Sequence, residues 1–148
     1  MSIKMRRNKL AILTLWSGTV IALLADSCKS EGQLTYARYY TNGKELYDIH
    51  CQNCHNSDGK GLQSLIPPLT DSAFLRKNKS KLACIIKYGL TTPVVVNGKT
   101  YDSQMPENSQ LPDIDIAALV TYITNSFGNN QGLYDAEEAT KDLKNCAP

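Results

Sequence analysis

Polarity along the chain changes in blocks. Four cationic residues, Lys4, Arg6, Arg7 and Lys9, precede a mostly apolar run over residues 10–25, interrupted by Thr14, Ser17, Gly18 and Thr19. That run is short for a membrane span, which needs about 20 apolar residues, and with its cationic start it reads as an export leader. Lys29, Ser30, Glu31, Gly32 and Gln33 then carry little to bury, which predicts a linker up to residue 40. A first helix is expected from Asn42, whose side chain can cap the turn while Glu45 reaches back, and it runs through Leu46, Tyr47 and Ile49 towards Cys51. A loop with Asp58, Gly59, Gly61, Pro67 and Pro68 follows, then short helices over 71–75 and 79–88, with Gly89 as terminator. Val94, Val95 and Val96 before Asn97-Gly98, with Lys99, Thr100 and Tyr101 after it, predict a hairpin closed by a two-residue turn. Ile116, Leu119, Val120 and Ile123 fall at helical spacing, so a last core helix is expected over 112–127, with Pro112 and Asp113 at its start and Gly128 at its end. Residues 135–144 predict a polar helix.

A chain of 148 residues fits one domain of modest size. The divisions expected are a leader over 1–27, a tether over 28–40 and a domain over 41–148 whose C-terminal extension is 129–148. The formal charge is +2. Removing residues 1–27 takes away four basic side chains and Asp26, leaving 12 basic against 13 acidic, a net −1. Such a balance gives nucleic acid no electrostatic footprint.

The leader ends in Leu23-Leu24-Ala25-Asp26-Ser27-Cys28, which resembles the cleavage and acylation site of bacterial lipoproteins, with Asp26 departing from the usual small or apolar residue. Three outcomes stay open: a lipid anchor at Cys28, an uncleaved helix anchor, or a soluble secreted form. All three put the domain across the membrane from the cytoplasm, on the periplasmic side. In that oxidising compartment unpaired thiols seldom persist. With Cys28 assigned to the leader and Cys51 and Cys54 to the motif below, the count suggests that Cys84 pairs with Cys146, two buried free thiols being the alternative.

Cys51-Gln52-Asn53-Cys54-His55 is a Cys-x-x-Cys-His motif. Two thiols one helical turn apart can add across the two vinyl groups of a haem, while the adjacent imidazole points at the iron. One such motif implies one covalent haem c. A structural zinc site would want a second close pair of ligands, and Cys84 and Cys146 lie far apart in sequence. A thioredoxin-like redox pair would want a βαβ pattern before the motif, and none precedes it. Beyond the leader the chain has one methionine, Met105, followed by Pro106 on a loop rich in Pro, Gly, Asn and Ser. It is the candidate for the sixth iron ligand. His50, the other histidine, sits next to Cys51 on the same helix and is on the wrong side of the ring to close the far face.

These features together resemble class I cytochrome c over about residues 38–128. The resemblance implies an all-α fold in which N- and C-terminal helices cross and enclose the haem, with short helices and a small hairpin between them. It implies that Gly43 and Tyr47 let the first helix approach the last at Leu119, Tyr122 and Ile123. It also implies that the carbonyl of Pro67 fixes the orientation of His55, unless Pro67 and Pro68 only stiffen the loop. From Val94 to Pro106 the chain is similar to bacterial small cytochromes and to the cytochrome domains fused to copper nitrite reductases. No copper-binding domain accompanies it here, and no nitrite role follows. Tyr101 reads equally as a hydrogen-bonding group near the haem and as an ordinary packed tyrosine.

The function expected is electron transfer rather than catalysis: one haem held by Cys51 and Cys54, ligated by His55 and Met105, passing single electrons between respiratory redox proteins. The rival readings are a haem enzyme or a sensor with an open sixth position, or a subunit relaying electrons within a larger complex. A peroxide-handling site would need distal groups, and beyond the leader only His50, Arg38 and Arg76 are on offer.

Overall fold

Residues Ile116 to Ile123 are all buried, as expected of a helix apolar on every side. This helix, α5 (Asp113–Ile123), is packed against by helices on either side of it in the sequence. The computed structural model describes residues 28–146. In chain order the elements are α1 (Cys28–His50), α2 (Gln52–His55), α3 (Ser72–Lys77), α4 (Lys79–Tyr88), β1 (Val94–Val96), β2 (Lys99–Tyr101), α5 and α6 (Ala136–Leu143). The leader expected over 1–27 lies outside the described residues. Among the described residues no helix is long and apolar enough to cross a membrane.

The chain divides into two units, Met1–Thr35 and Tyr36–Pro148. Of the first, the described part is the start of α1, where the Thr35 hydroxyl donates to the Glu31 carbonyl at 2.9 Å. The second holds the remainder of α1 and every other element. Here α1 crosses α5 at Gly43: a Cβ on this residue would collide with the Ala118 carbonyl and lie 2.8 Å from the Tyr122 Cβ, so only a glycine allows the approach. Tyr47, fully buried, wedges between Tyr122 and Phe127 at ring separations of 5.2 and 5.3 Å. The expected partner face at Leu119, Tyr122 and Ile123 is buried in the same core.

α4 and α6 pack on α5 and on each other, and a Cys84–Cys146 disulfide, with a Cα–Cα distance of 5.7 Å, ties the C-terminal segment to α4. Asp135 caps α6 in a reciprocal capping box with Glu138. β1 and β2 pair antiparallel with Val96 opposite Lys99, which leaves Asn97 and Gly98, at φ of 51° and 73°, as the turn. The Asn97 N–H donates to Asp71 at 3.0 Å, while the same carboxylate caps α3 through the N–H groups of Ala73 and Phe74.

Two boundaries differ from the sequence reading. The first helix begins at Cys28 rather than Asn42. Tyr40 packs its ring, tilted by 58°, against Tyr122 at 5.2 Å and bonds Ser126 at 3.0 Å, and the Tyr39 hydroxyl accepts from the Ala136 N–H, so this stretch is held by long-range contacts. Asn42, in mid-helix, donates to Asp115 at 3.2 Å instead of capping. The last core helix stops at Ile123, short of Phe127. There the Asn125 amide takes the Thr121 carbonyl at 2.7 Å and the Asn129 amide takes that of Ile123 at 3.1 Å, so side chains satisfy the ending carbonyls.

Candidate functional site

α1 delivers the motif. The Cys51 N–H continues its hydrogen-bond ladder to Tyr47 at 2.9 Å, and the backbone turns at Cys51 into α2, where the His55 N–H donates to the Cys51 carbonyl at 2.9 Å. Cys51 and His55 therefore share one buried face, while Cys54 is exposed. The Tyr47 hydroxyl donates to the Asn56 carbonyl at 2.7 Å and anchors the end of this turn to the core.

The next loop folds back on the motif. Gly61 N–H donates to the His55 carbonyl at 3.0 Å, and Leu69 N–H to that of Gly59 at 2.7 Å. This return brings the Pro67 carbonyl to 3.1 Å from Nδ1 of His55, the contact the resemblance implied. Donation from Nδ1 fixes the tautomer and leaves the Nε2 lone pair for a metal. Burial lowers the His55 pKa, with the bond to Pro67 opposing it, so the imidazole is biased to its neutral, ligating form. Burial, with Cys54 adding to it, pushes the Cys51 thiol up to about 12.

Cys51, Cys54, His55 and Met105 all line one cleft. Its walls are apolar: Phe74 and Leu75 from α3, Leu82, Ile85 and Ile86 from α4, Val94 and Val96 from the hairpin, and Val120 and Ile123 from α5. The hairpin thus borders the cleft. Met105, half-buried, is held by a two-way backbone bridge to Leu90 at 2.9 and 3.0 Å. His50 is exposed and Tyr101 is buried under Lys99 at 5.6 Å, and neither lines the cleft. Cys84 is engaged by Cys146, which removes it as a third thiolate for a zinc site.

Sequence reasoning missed the wall residues of α3 and α4 as site residues, although their helical spacing was visible. It also missed Asn129, whose amide donates to the Leu69 carbonyl at 2.8 Å and braces the loop carrying Pro67. An asparagine in a turn-rich stretch carries no signal for that contact.

A deep apolar slot with thiols and an oriented imidazole at its edge suits a flat ring system attached through its rim, which is the chemistry of covalent haem proteins. Within that class, the family model for cytochrome c matches residues 40–126, and the chain belongs to the cytochrome c family, carrying one covalently bound haem c. A cytochrome c-552 of Thermus thermophilus is 29% identical over 109 residues, covering 68% of this chain and 82% of that protein. The cytochrome subunit of a fructose dehydrogenase of Gluconobacter japonicus is 30% identical over 124 residues, 81% of this chain but 25% of that protein. The cytochrome c subunit of a quinone alcohol dehydrogenase of Gluconobacter oxydans is 26% identical over 108 residues, 72% of this chain and 23% of that protein.

Proposed function

We propose that Cys51 and Cys54 hold the haem as thioethers, that His55 and Met105 are its axial ligands, and that the protein carries single electrons between respiratory redox partners. The observation behind this reading is the Nδ1 bond of His55 to Pro67 in a cleft that Met105 also lines. When bound, the haem supplies a reversible one-electron change at iron. The protein's own groups set its conditions. The apolar walls exclude water and favour the less charged, reduced state, and a neutral thioether ligand at Met105 pushes the potential in the same direction. A thiol held protonated is a poor nucleophile, so Cys51 is better placed to react before the domain closes around it than after.

The relatives named as dehydrogenase cytochrome subunits support a dehydrogenase as one partner, docked through a small and transient contact. The likeness of residues 94–106 to cytochrome domains fused to copper nitrite reductases belongs to the same carrier reading. The leader over 1–27 and acylation at Cys28, with the start of α1 as the connection in place of a tether reaching residue 40, would keep the domain near membrane-bound partners and raise its effective concentration there. Membrane recovery of the mature chain, lost on Cys28→Ala, supports this anchor; recovery from the soluble periplasmic fraction contradicts it.

Carbon monoxide separates the carrier from an enzyme or sensor. The reduced holoprotein is expected to leave its spectrum unchanged under the gas, because Met105 occupies the sixth position. Ready binding would show an open iron and bring the catalytic and sensing readings forward.

A further inference from the structure

α4 ends without a cap of its own. Gly89, at φ 74° and ψ −168°, turns the chain away from the helix, and so leaves the last carbonyls to find donors elsewhere. Asn108, three residues beyond Met105, provides them. Its backbone N–H is shared between the carbonyls of Ile86 and Lys87, each at 3.2 Å, and its side-chain amide donates to Ile86 at 3.2 Å. The Ile86 side chain lines the cleft. The Met105 segment is thus fixed to one helix end at two points, the bridge to Leu90 and the bonds from Asn108. Between them Pro106 has no N–H to offer. The fit is close: a Cβ on Gly89 would collide with the Met105 carbonyl and lie 3.0 Å from the Glu107 nitrogen.

We propose that Asn108 is a positioning residue for the Met105 thioether: its side-chain amide latches the methionine loop to the end of α4 and holds the sulfur in the cleft against displacement. The proposal rests on Met105 being the sixth ligand. Without the side-chain bond the second pin rests on the shared backbone N–H of Asn108 alone, at 3.2 Å from each carbonyl, so the loop swings open about Leu90 more readily. One hydrogen bond to a buried carbonyl shifts such an opening equilibrium by about three- to tenfold.

The test is titration of the oxidised holoprotein with imidazole, following loss of the far-red sulfur-to-iron absorption band. Imidazole is expected to displace the sulfur at about three- to tenfold lower concentration in Asn108→Ala. Asn108→Asp, which keeps the size but cannot donate, is expected to match it. Tyr134→Phe breaks a 2.8 Å bond to Asp142 away from the methionine loop, and is expected to lower the thermal midpoint with the imidazole affinity unchanged. A wild type that shows the band, with both Asn108 variants within about 1.5-fold of it, overturns the latch alone. A wild type without the band overturns Met105 ligation, and the latch with it.

Discussion

Tyr47 and Tyr134 show how far single side chains are committed to the folded state. Both are fully buried or nearly so, and each hydroxyl has one partner, the Asn56 carbonyl for Tyr47 and the Asp142 carboxylate for Tyr134. Burial raises both pKa values above the ordinary tyrosine range, and for Tyr134 the bond to Asp142 adds to it. In the unfolded chain these hydroxyls ionise near pH 10, while the folded protein keeps their protons. The folded state therefore binds more protons above that pH. The contribution is complete below about 10 and erodes as pH rises beyond it. Urea unfolding of the holoprotein at pH 9 and pH 11 should show a smaller loss of stability in Tyr134→Phe than in the wild type; an equal loss would contradict the assignment. At this scale the sequence was most legible where chemistry is local. Cys51, Cys54 and His55 stand within five residues, and Met105 was picked out by being alone. Asn108 and Asn129 were invisible, because their importance lies in which distant carbonyls they meet.

Among the elements, the hairpin and α3, α4 and α6 were predicted from signals inside their own segments. Asn97-Gly98 carries the turn and Gly89 the stop, and the structure adds the caps of α3 and α6 at Asp71 and Asp135. The two boundaries that moved are those decided by other parts of the chain. Tyr39 and Tyr40 extend α1 because residues from Tyr122 to Ala136 receive them, and Asn125 and Asn129 end α5 early. The brace formed by α6 and the disulfide belongs to this scale as well. Cys84 and Cys146 are 62 residues apart in sequence, and closing a loop of that length removes unfolded-chain entropy worth about 4 kcal/mol at room temperature. Replacing both cysteines by serine should lower the unfolding free energy in guanidinium by about 2–4 kcal/mol. The haem spectrum of the undenatured protein should stay the same, since neither cysteine lines the cleft. A spectrum altered without denaturant would contradict the separation of brace from site.

The described helices are arranged so that the motif Cys51, Cys54 and His55 and the distant Met105 line one apolar cleft. Two crossing helices fix the motif, and a loop pinned to the end of α4 brings Met105 to the same cleft. The crossing was foreseen from Gly43 and Tyr47, and the enclosure from a resemblance that the match over residues 40–126 bears out. How the methionine loop is fastened could not be read, because its fastenings, the backbone bridge to Leu90 and the Asn108 bonds to the end of α4, join segments with no shared pattern. The central claim is that His55 and Met105 together ligate a haem that carries single electrons. Its most direct test is the visible absorption spectrum of the purified protein, oxidised and reduced, with and without Met105→Ala. Ligation by both residues gives a low-spin c-type spectrum with a weak far-red sulfur-to-iron band in the oxidised wild type, and the band disappears in the variant. A wild type without that band, or a variant that keeps it, would contradict ligation by Met105.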